Sequence, residues 1–246
     1  MAGERTRADK FLVERGFFET RAKAQAAIAA GLVTANGVTV RKPSDGIATD
    51  AVITARAPHP YVSRGGVKLE AGLEAFGPSP AGRICLDIGA STGGFTEVLL
   101  NRGAAKVYAV DVGHGQLHPS VAGDPRVVSL ERTDARRLTR EVVPEPVDFV
   151  VADVSFISLR LVLPPVMPLL ADDAALVALV KPQFEAGRAH VAKGVVRDPA
   201  VHARVCDAMT AFVTGLGFDV LGLIPSPIAG GDGNREFLIG ARRRQP

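Results

Sequence analysis

The sequence predicts an α/β protein, a doubly wound sheet of seven strands preceded by a small α+β module. Two observations carry that expectation. From Tyr61 onward, strand-length apolar runs alternate with helical patterns, as in a parallel sheet covered on both faces. Before Tyr61 the texture differs: two short helical stretches and a hairpin signal are followed by a break at Ala57-Pro58-His59-Pro60, where two prolines resist helix and sheet alike. The expected domains are therefore 1–60 and 61–246.

Composition excludes several classes before any motif is read. The chain of 246 residues is 47% hydrophobic and 22% charged, with no Trp, two Tyr and two Cys. Two cysteines cannot build a disulfide framework or a four-cysteine zinc site, and no His/Cys/carboxylate cluster has ligand spacing, so no metal is expected. Cys85 lies in an apolar run and reads as a core residue. The pair fits a reducing compartment, and the expected location is cytoplasmic. The start, MAGERTRADK, is charged with no apolar segment behind it and does not read as a signal peptide. The longest apolar stretch, LVLPPVMPLLADDAALVALV, contains three prolines and two aspartates, which argues against a membrane span. Charge is unevenly spread. Residues 1–65 hold ten Lys and Arg against six acids, a net of +4, while the remainder stands at −1. A basic module joined to a near-neutral one suggests an arm for a polyanion.

The elements follow in order. Residues 6–15, TRADKFLVER, put Phe11 and Leu12 on one face and predict a short helix. Thr20 is the expected N-cap of a second helix, RAKAQAAIAAG, which stops at Gly31. Asn36-Gly37 between apolar residues predicts a hairpin. The seven strands are expected in GRICLDIG, AKVYAVDVG, RVVSLERTD, VDFVVADVS, ALVALVKP, DVLGLIPSP and REFLIGARR. Only a loop separates the last two, so they should run antiparallel to each other.

The first segment resembles the small RNA-binding module of ribosomal protein S-four. The residues that carry the resemblance are Arg7, Asp9 and Leu12 in an R-x-D-x-x-L start, the TRAKAQAAI helix, the AGLVTANG turn and VRKPSD. It implies that Arg7, Arg21, Lys23, Arg41 and Lys42 meet folded RNA. Arg64, just past the prolines, joins that set.

In the second segment, ligands are expected outside the carboxyl ends of the strands. The first strand runs into CLDIGASTGGFTEVLL, a glycine-bearing turn that opens a helix and offers free N–H groups. It lacks the dinucleotide fingerprint, because Ser91 stands where glycine is needed, and no Walker-type G-K-[ST] is present. The second strand ends in Asp111, where an acid can hold both ribose hydroxyls, and Thr133-Asp134 follows the third, placed for an adenine amino group. The fourth ends in Asp153. This series resembles the S-adenosylmethionine-dependent methyltransferases, whose Rossmann-like sheet it implies. The resemblance makes S-adenosyl-L-methionine the cofactor. Asp87, Gly89, Ser91, Thr92 and Gly93 would then face its methionine half and sugar, with Asp111, Asp134 and Asp153 completing the set.

The acceptor is narrowed by what is missing. Amino methylation of bases goes with an (Asp/Asn)-Pro-Pro-aromatic run where this chain has Asp153-Val154-Ser155-Phe156, and carbon methylation needs a nucleophilic cysteine on an active-site loop. Lys181 ends the apolar run ALVALV beside Asp153, Lys68 lies in SRGGVKLEAGL, and Glu236 opens the last strand. This Lys–Asp–Lys–Glu set resembles that of the FtsJ-type ribose 2′-O-methyltransferases. With the N-terminal module it is similar to the TlyA family of ribosomal RNA 2′-O-methyltransferases, historically labelled hemolysins. That family's order is matched by YVSRGGVKL, DIGASTGGF, ADVSFISL, KPQFE and GNREFL across almost the whole chain. The resemblance implies a cytidine acceptor in ribosomal RNA or ribosomal subunits, no membrane partner, and Lys68, Asp153, Lys181 and Glu236 as catalytic residues. Two other readings stand beside it: a hemolysin or cytolysin, and a non-catalytic RNA-binding regulator on a methyltransferase fold.

Overall fold

The Asn36-Gly37 pair shows how local chemistry starts this fold. Asn36 and Gly37 both take positive φ, 49° and 77°. A two-residue hairpin turn of the type that matches strand twist demands that geometry. The turn joins β2 (Val33–Ala35) to β3 (Val38–Thr39). The computed structural model describes residues 5–230 and 233–244; Gly231 and Asp232, in the GGDGNREF stretch, lie outside it.

The chain forms two compact units that divide between Pro60 and Tyr61. In the first, β1 (Arg5–Arg7) pairs antiparallel with β4 (Gly46–Ala48), and β2 pairs with both β3 and β5 (Ile53–Ala55). Helices α1 (Ala8–Glu14) and α2 (Arg21–Ala29) cover a core of Phe11, Leu12, Ala24, Ile28, Val33 and Ile47. Thr20 caps α2 by accepting the Lys23 N–H. The helix expected from residue 6 begins at Ala8 instead, because Thr6 and Arg7 are drawn into pairing with Ile47 and Gly46, a long-range contact that local pattern cannot show.

The second unit is a seven-stranded sheet. Its strands are β6 (Ile84–Ile88), β7 (Lys106–Val110), β8 (Val127–Leu130), β9 (Val147–Ala152), β10 (Leu170–Val180), β11 (Phe218–Pro225) and β12 (Phe237–Arg243). Their spatial order is β11-β12-β10-β9-β6-β7-β8. All pairings are parallel except those of β12, which slots antiparallel between β10 and β11. On one face α3 (Gly65–Phe76) and α4 (Gly94–Asn101) pack on Phe149, Val151, Val177 and Leu179. On the other, α6 (Leu159–Val166) and α8 (Pro199–Gly215) pack on Val150, Leu176 and Ala178. The single turns α5 (Pro119–Ala122) and α7 (Pro182–Glu185) follow β7 and β10. Alternate residues of one strand therefore feed two cores, which is why β9 and β10 read as continuous apolar runs. Asp172 and Asp173 do not break β10: they sit at its exposed beginning.

The strand order reverses at β6, with β7 and β8 on one side and β9 and β10 on the other. In an open α/β sheet that switch point is where the carboxyl ends part and a crevice opens.

Candidate active site

Backbone approach shapes the crevice first. Gly89, just past β6, takes φ +85°, and a Cβ there would lie 2.6 Å from the Asp153 carbonyl oxygen. Only glycine allows the β6 and β9 ends to come this close. The contact is fixed by the Asp153 N–H donating to the Ile88 carbonyl at 3.0 Å.

Beside it lies a cleft of about 500 Å³, a size suited to a small-molecule ligand. Gly89, Ser91, Asp111, Asp134 and Asp153 line it, with Val112, Ile157 and Val162 as apolar wall. The Asp111 carboxylate accepts the Ser91 N–H at 2.8 Å and the Gly113 N–H at 2.7 Å, which aims it while leaving lone pairs free for hydroxyls. Asp134 caps a short turn and is gripped by Arg136 at 2.6 Å, so its carboxyl is held below the ordinary carboxylate range by that guanidinium. The loop after β7 is anchored by Glu131, which accepts backbone N–H groups of Gly115 and Gln116 and is thereby lowered to about 2.

Three expected cofactor residues stand elsewhere. Asp87 is fully buried and accepts the Thr96 hydroxyl at 2.6 Å. Burial raises its carboxyl to about 7, with the nearby Asp153 charge adding to the rise. It braces the first strand against α4 behind the cleft wall and does not face the cleft. Gly93 is the N-cap of α4 in the left-handed conformation that favours glycine, and Leu117 and Val121 lie close over it. Thr92 lies on a second, adjoining hollow, lined also by Ser63, Arg64, Lys68, Ser91, Asp153 and Lys181.

The four catalytic candidates do come together. Lys181 Nζ lies 2.6 Å from Asp153 Oδ1 and donates to Ser155 Oγ at 2.9 Å. Lys68 Nζ donates to Glu236 Oε2 at 2.6 Å and stands 4.0 Å from Asp153 Oδ2. Lys68, Lys181 and Glu236 are buried and Asp153 is mostly so. Two ammonium and two carboxylate groups balance, which is the condition under which charges tolerate burial. Lys68 comes from α3 and Glu236 from the start of β12, so partners 168 residues apart meet only through the fold. Cys85 is out of reach of any such chemistry: burial pushes its thiol up to about 12, and the thiolate it would need is suppressed.

Ser155 and Phe156 were not singled out as site residues by sequence reasoning. Phe156 takes φ +65° and is 92% exposed as a residue on the rim of the cleft, with its ring centroid 5.3 Å from that of Phe184. An aromatic held in a rare conformation and offered to solvent marks a functional position. Its signal lay in the ADVSFISL run, where an apolar residue reads as core.

In the first unit, Asp9 is the residue on which the basic surface turns. Its buried carboxylate receives Arg7 at 3.2 Å, Arg21 at 2.6 Å and Gln25 at 2.8 Å. Lys23 pairs with Glu19, while Arg41 and Lys42 are exposed next to Asp45, which accepts both their backbone N–H groups. Arg64 lies in the second unit, as N-cap of α3 at the hollow that holds Lys68.

Residues 61–243 match the FtsJ-like methyltransferase family and residues 6–53 the S4 domain. The chain is 48% identical to the 16S/23S rRNA (cytidine-2′-O)-methyltransferase TlyA of Mycobacterium tuberculosis, over 97% of this chain and 90% of that protein. It is 42% identical to Hemolysin A of Brachyspira hyodysenteriae, over 94% and 98%. A solved hemolysin-type structure from Streptococcus thermophilus superposes with a TM-score of 0.78 at 44% identity, covering 100% of this chain and 91% of that one. Among the described residues no helix is long and apolar enough to cross a membrane.

Proposed function

This chain belongs to the FtsJ-like methyltransferase family, and from that premise we propose that it methylates a ribose 2′-hydroxyl of ribosomal RNA, with cytidine as the acceptor nucleoside and S-adenosylmethionine as donor. The observation that carries the reading is the buried Lys68–Asp153–Lys181–Glu236 cluster at the switch point, next to a cleft lined by Asp111 and Asp134.

The cleft residues fit the donor. Asp111 would hold the ribose hydroxyls, Asp134 the adenine amino group, and the wall of Val112, Ile157 and Val162 would receive the ring. When bound, the donor supplies a methyl group made electrophilic by its sulfonium. The rest of the work falls to the chain. A ribose hydroxyl must be aimed at that methyl and must lose its proton. Lys181, steadied by Asp153 and Ser155, orients the hydroxyl as an ammonium; once it has passed one of its own protons to water, the free amine takes the hydroxyl's proton as general base. Lys68, clamped by Glu236, balances the Asp153 charge from the other side. The ring of Phe156 offers a stacking face for an unstacked base, an interaction of about 1–3 kcal/mol. The S4 unit adds the phosphate contacts through Arg7, Arg21, Arg41 and Lys42.

The test is a substrate carrying a single 2′-deoxy substitution at the mapped target nucleotide. Its phosphates and base edges are unchanged, so it should bind as the parent does and accept no methyl group. Label on that nucleotide would make the base the acceptor and overturn the roles given to Lys68, Asp153, Lys181 and Glu236.

A further inference from the structure

The segments that leave β9 and β10 carry Asp153, Ser155 and Phe156 on one side and Lys181 on the other. Their strands are parallel neighbours, with Ala152 opposite Ala178. Beyond the sheet the ladder ends. Among the described residues no backbone hydrogen bond joins segment 153–159 to segment 181–185. Three side chains of the second segment make the links. Lys181 pairs with Asp153 and donates to Ser155, Phe184 packs on Phe156, and Glu185 reaches the far end. Glu185 Oε2 accepts the Ser158 hydroxyl at 2.5 Å and Oε1 accepts the Leu159 N–H at 2.8 Å. Ser158 in turn caps α6 by accepting the Arg160 N–H at 3.1 Å.

A carboxylate at a helix N-terminus is a favourable partner for its free N–H groups. What is unusual is where this one comes from. It is supplied by α7 (Pro182–Glu185), the single turn that begins directly after Lys181, so the cap of α6 is also the strap that fastens the two halves of the lysine–aspartate pair. Burial holds the Glu185 carboxyl above its ordinary range, while the bonds from Ser158 and Leu159 pull it back. Phe156 sits in the middle of the strapped segment in a left-handed conformation, which persists only where the surroundings over-determine it.

We propose that Glu185 is a positioning residue for methyl transfer: by tying Ser158 and Leu159 to the turn behind Lys181, it keeps Asp153, Ser155 and Phe156 in register with the lysine. This rests on the functional reading above and adds a residue that touches neither donor nor acceptor.

The experiment compares full-length wild type, Glu185→Ala and Glu185→Gln. Glu185→Ala should lower kcat roughly 10–100-fold, the usual consequence of a small misplacement of reacting groups. Donor affinity should fall by less than kcat does: Asp153 and Ile157 of the strapped segment line the donor cleft, but Asp111 and Asp134 lie on the other half of the sheet and keep their places. Glu185→Gln keeps the shape and one acceptor oxygen, and should recover most of the lost kcat. Hydrogen exchange followed by mass spectrometry should show peptides 153–159 and 181–186 of Glu185→Ala speeding up together. A kcat near wild type in Glu185→Ala, or faster exchange confined to α6, would reduce Glu185 to a helix cap and overturn the proposal. The two readings fail separately. Absence of ribose methylation by the wild type would refute the proposed function, while the exchange comparison still decides the role of Glu185.

Discussion

This molecule gathers cations around a carboxylate in two places, and the two are built to opposite ends. In the first unit Asp9 is fully buried, yet the Arg7 and Arg21 side chains it holds are 54% and 57% exposed. One anion organises two cations, so positive charge is left over and faces water. In the second unit Lys181 and Lys68 are 9% and 10% exposed, and each is matched by a carboxylate. Nothing is left over, and the cations meet only what enters the cleft. Exposed, surplus cations suit phosphates and lose strength in salt, whereas enclosed, balanced ones suit orientation and proton transfer in a low-dielectric site. Burial of the cation, more than its identity, separates the proposed binding surface from the proposed chemical site.

The contrast breaks most easily at Lys181. Lys181→Ala should cut the rate of methyl transfer by about a thousand-fold, within the range for loss of a positioned base, while donor affinity stays within about three-fold. Single-turnover transfer and calorimetric titration check the two halves, and wild-type turnover in the variant would remove the chemical role from the enclosed cluster.

Asp9 is the next largest lever. Asp9→Asn removes a charge that three side-chain donors share and should destabilise the first unit by about 2 kcal/mol, the scale of charged hydrogen bonds to half-exposed partners. The sign with pH follows from its carboxyl being held below the usual range by the Arg7 and Arg21 bonds. That stabilisation is complete above the ordinary carboxylate pKa of about 4 and is lost as pH falls further. Hydrogen exchange of residues 5–60 from pH 7 to pH 3 should show wild type converging on the variant in acid. Parallel curves would mean that Asp9 carries no such linkage.

The smallest expected effect sharpens the comparison on the binding side. Arg41→Ala with Lys42→Ala removes two exposed cations without touching the Asp9 hub. Affinity for ribosomal RNA should fall about ten-fold at low salt, and the slope of log K against log salt should flatten by about 1.4–1.8, or 0.7–0.9 for each lost phosphate contact. The transfer rate at saturating RNA should not change. A drop in that rate would mean the exposed cations also serve the chemistry.

Much of this architecture was legible because it is local. Asn36-Gly37 specifies its turn by φ alone, Thr20 caps α2 within its own first turn, and ALVALV ends in Lys181 because a strand buried on both faces must be apolar until it leaves the sheet. Asp111 and Asp134 line the cleft because strand ends in a parallel sheet share one edge. The order of the motifs therefore determined the fold class, the sheet edge at which the cleft opens and the family to which the chain belongs. Tertiary structure decided which atoms face which. Asp87 and Gly89 are two residues apart, and only packing shows that the carboxylate is sealed behind Thr96 while the glycine lies against Asp153. Arg64 reads in sequence only as one more basic residue, and tertiary structure sets it on the hollow beside Lys68. Lys68 and Glu236 need every intervening strand in place before they touch, and Glu185 reaches Ser158 only because β9 and β10 are neighbours. Sequence carries residue type and local period. Hydrogen-bond partners and burial belong to contacts between distant segments, and those exist only once the chain has closed on itself.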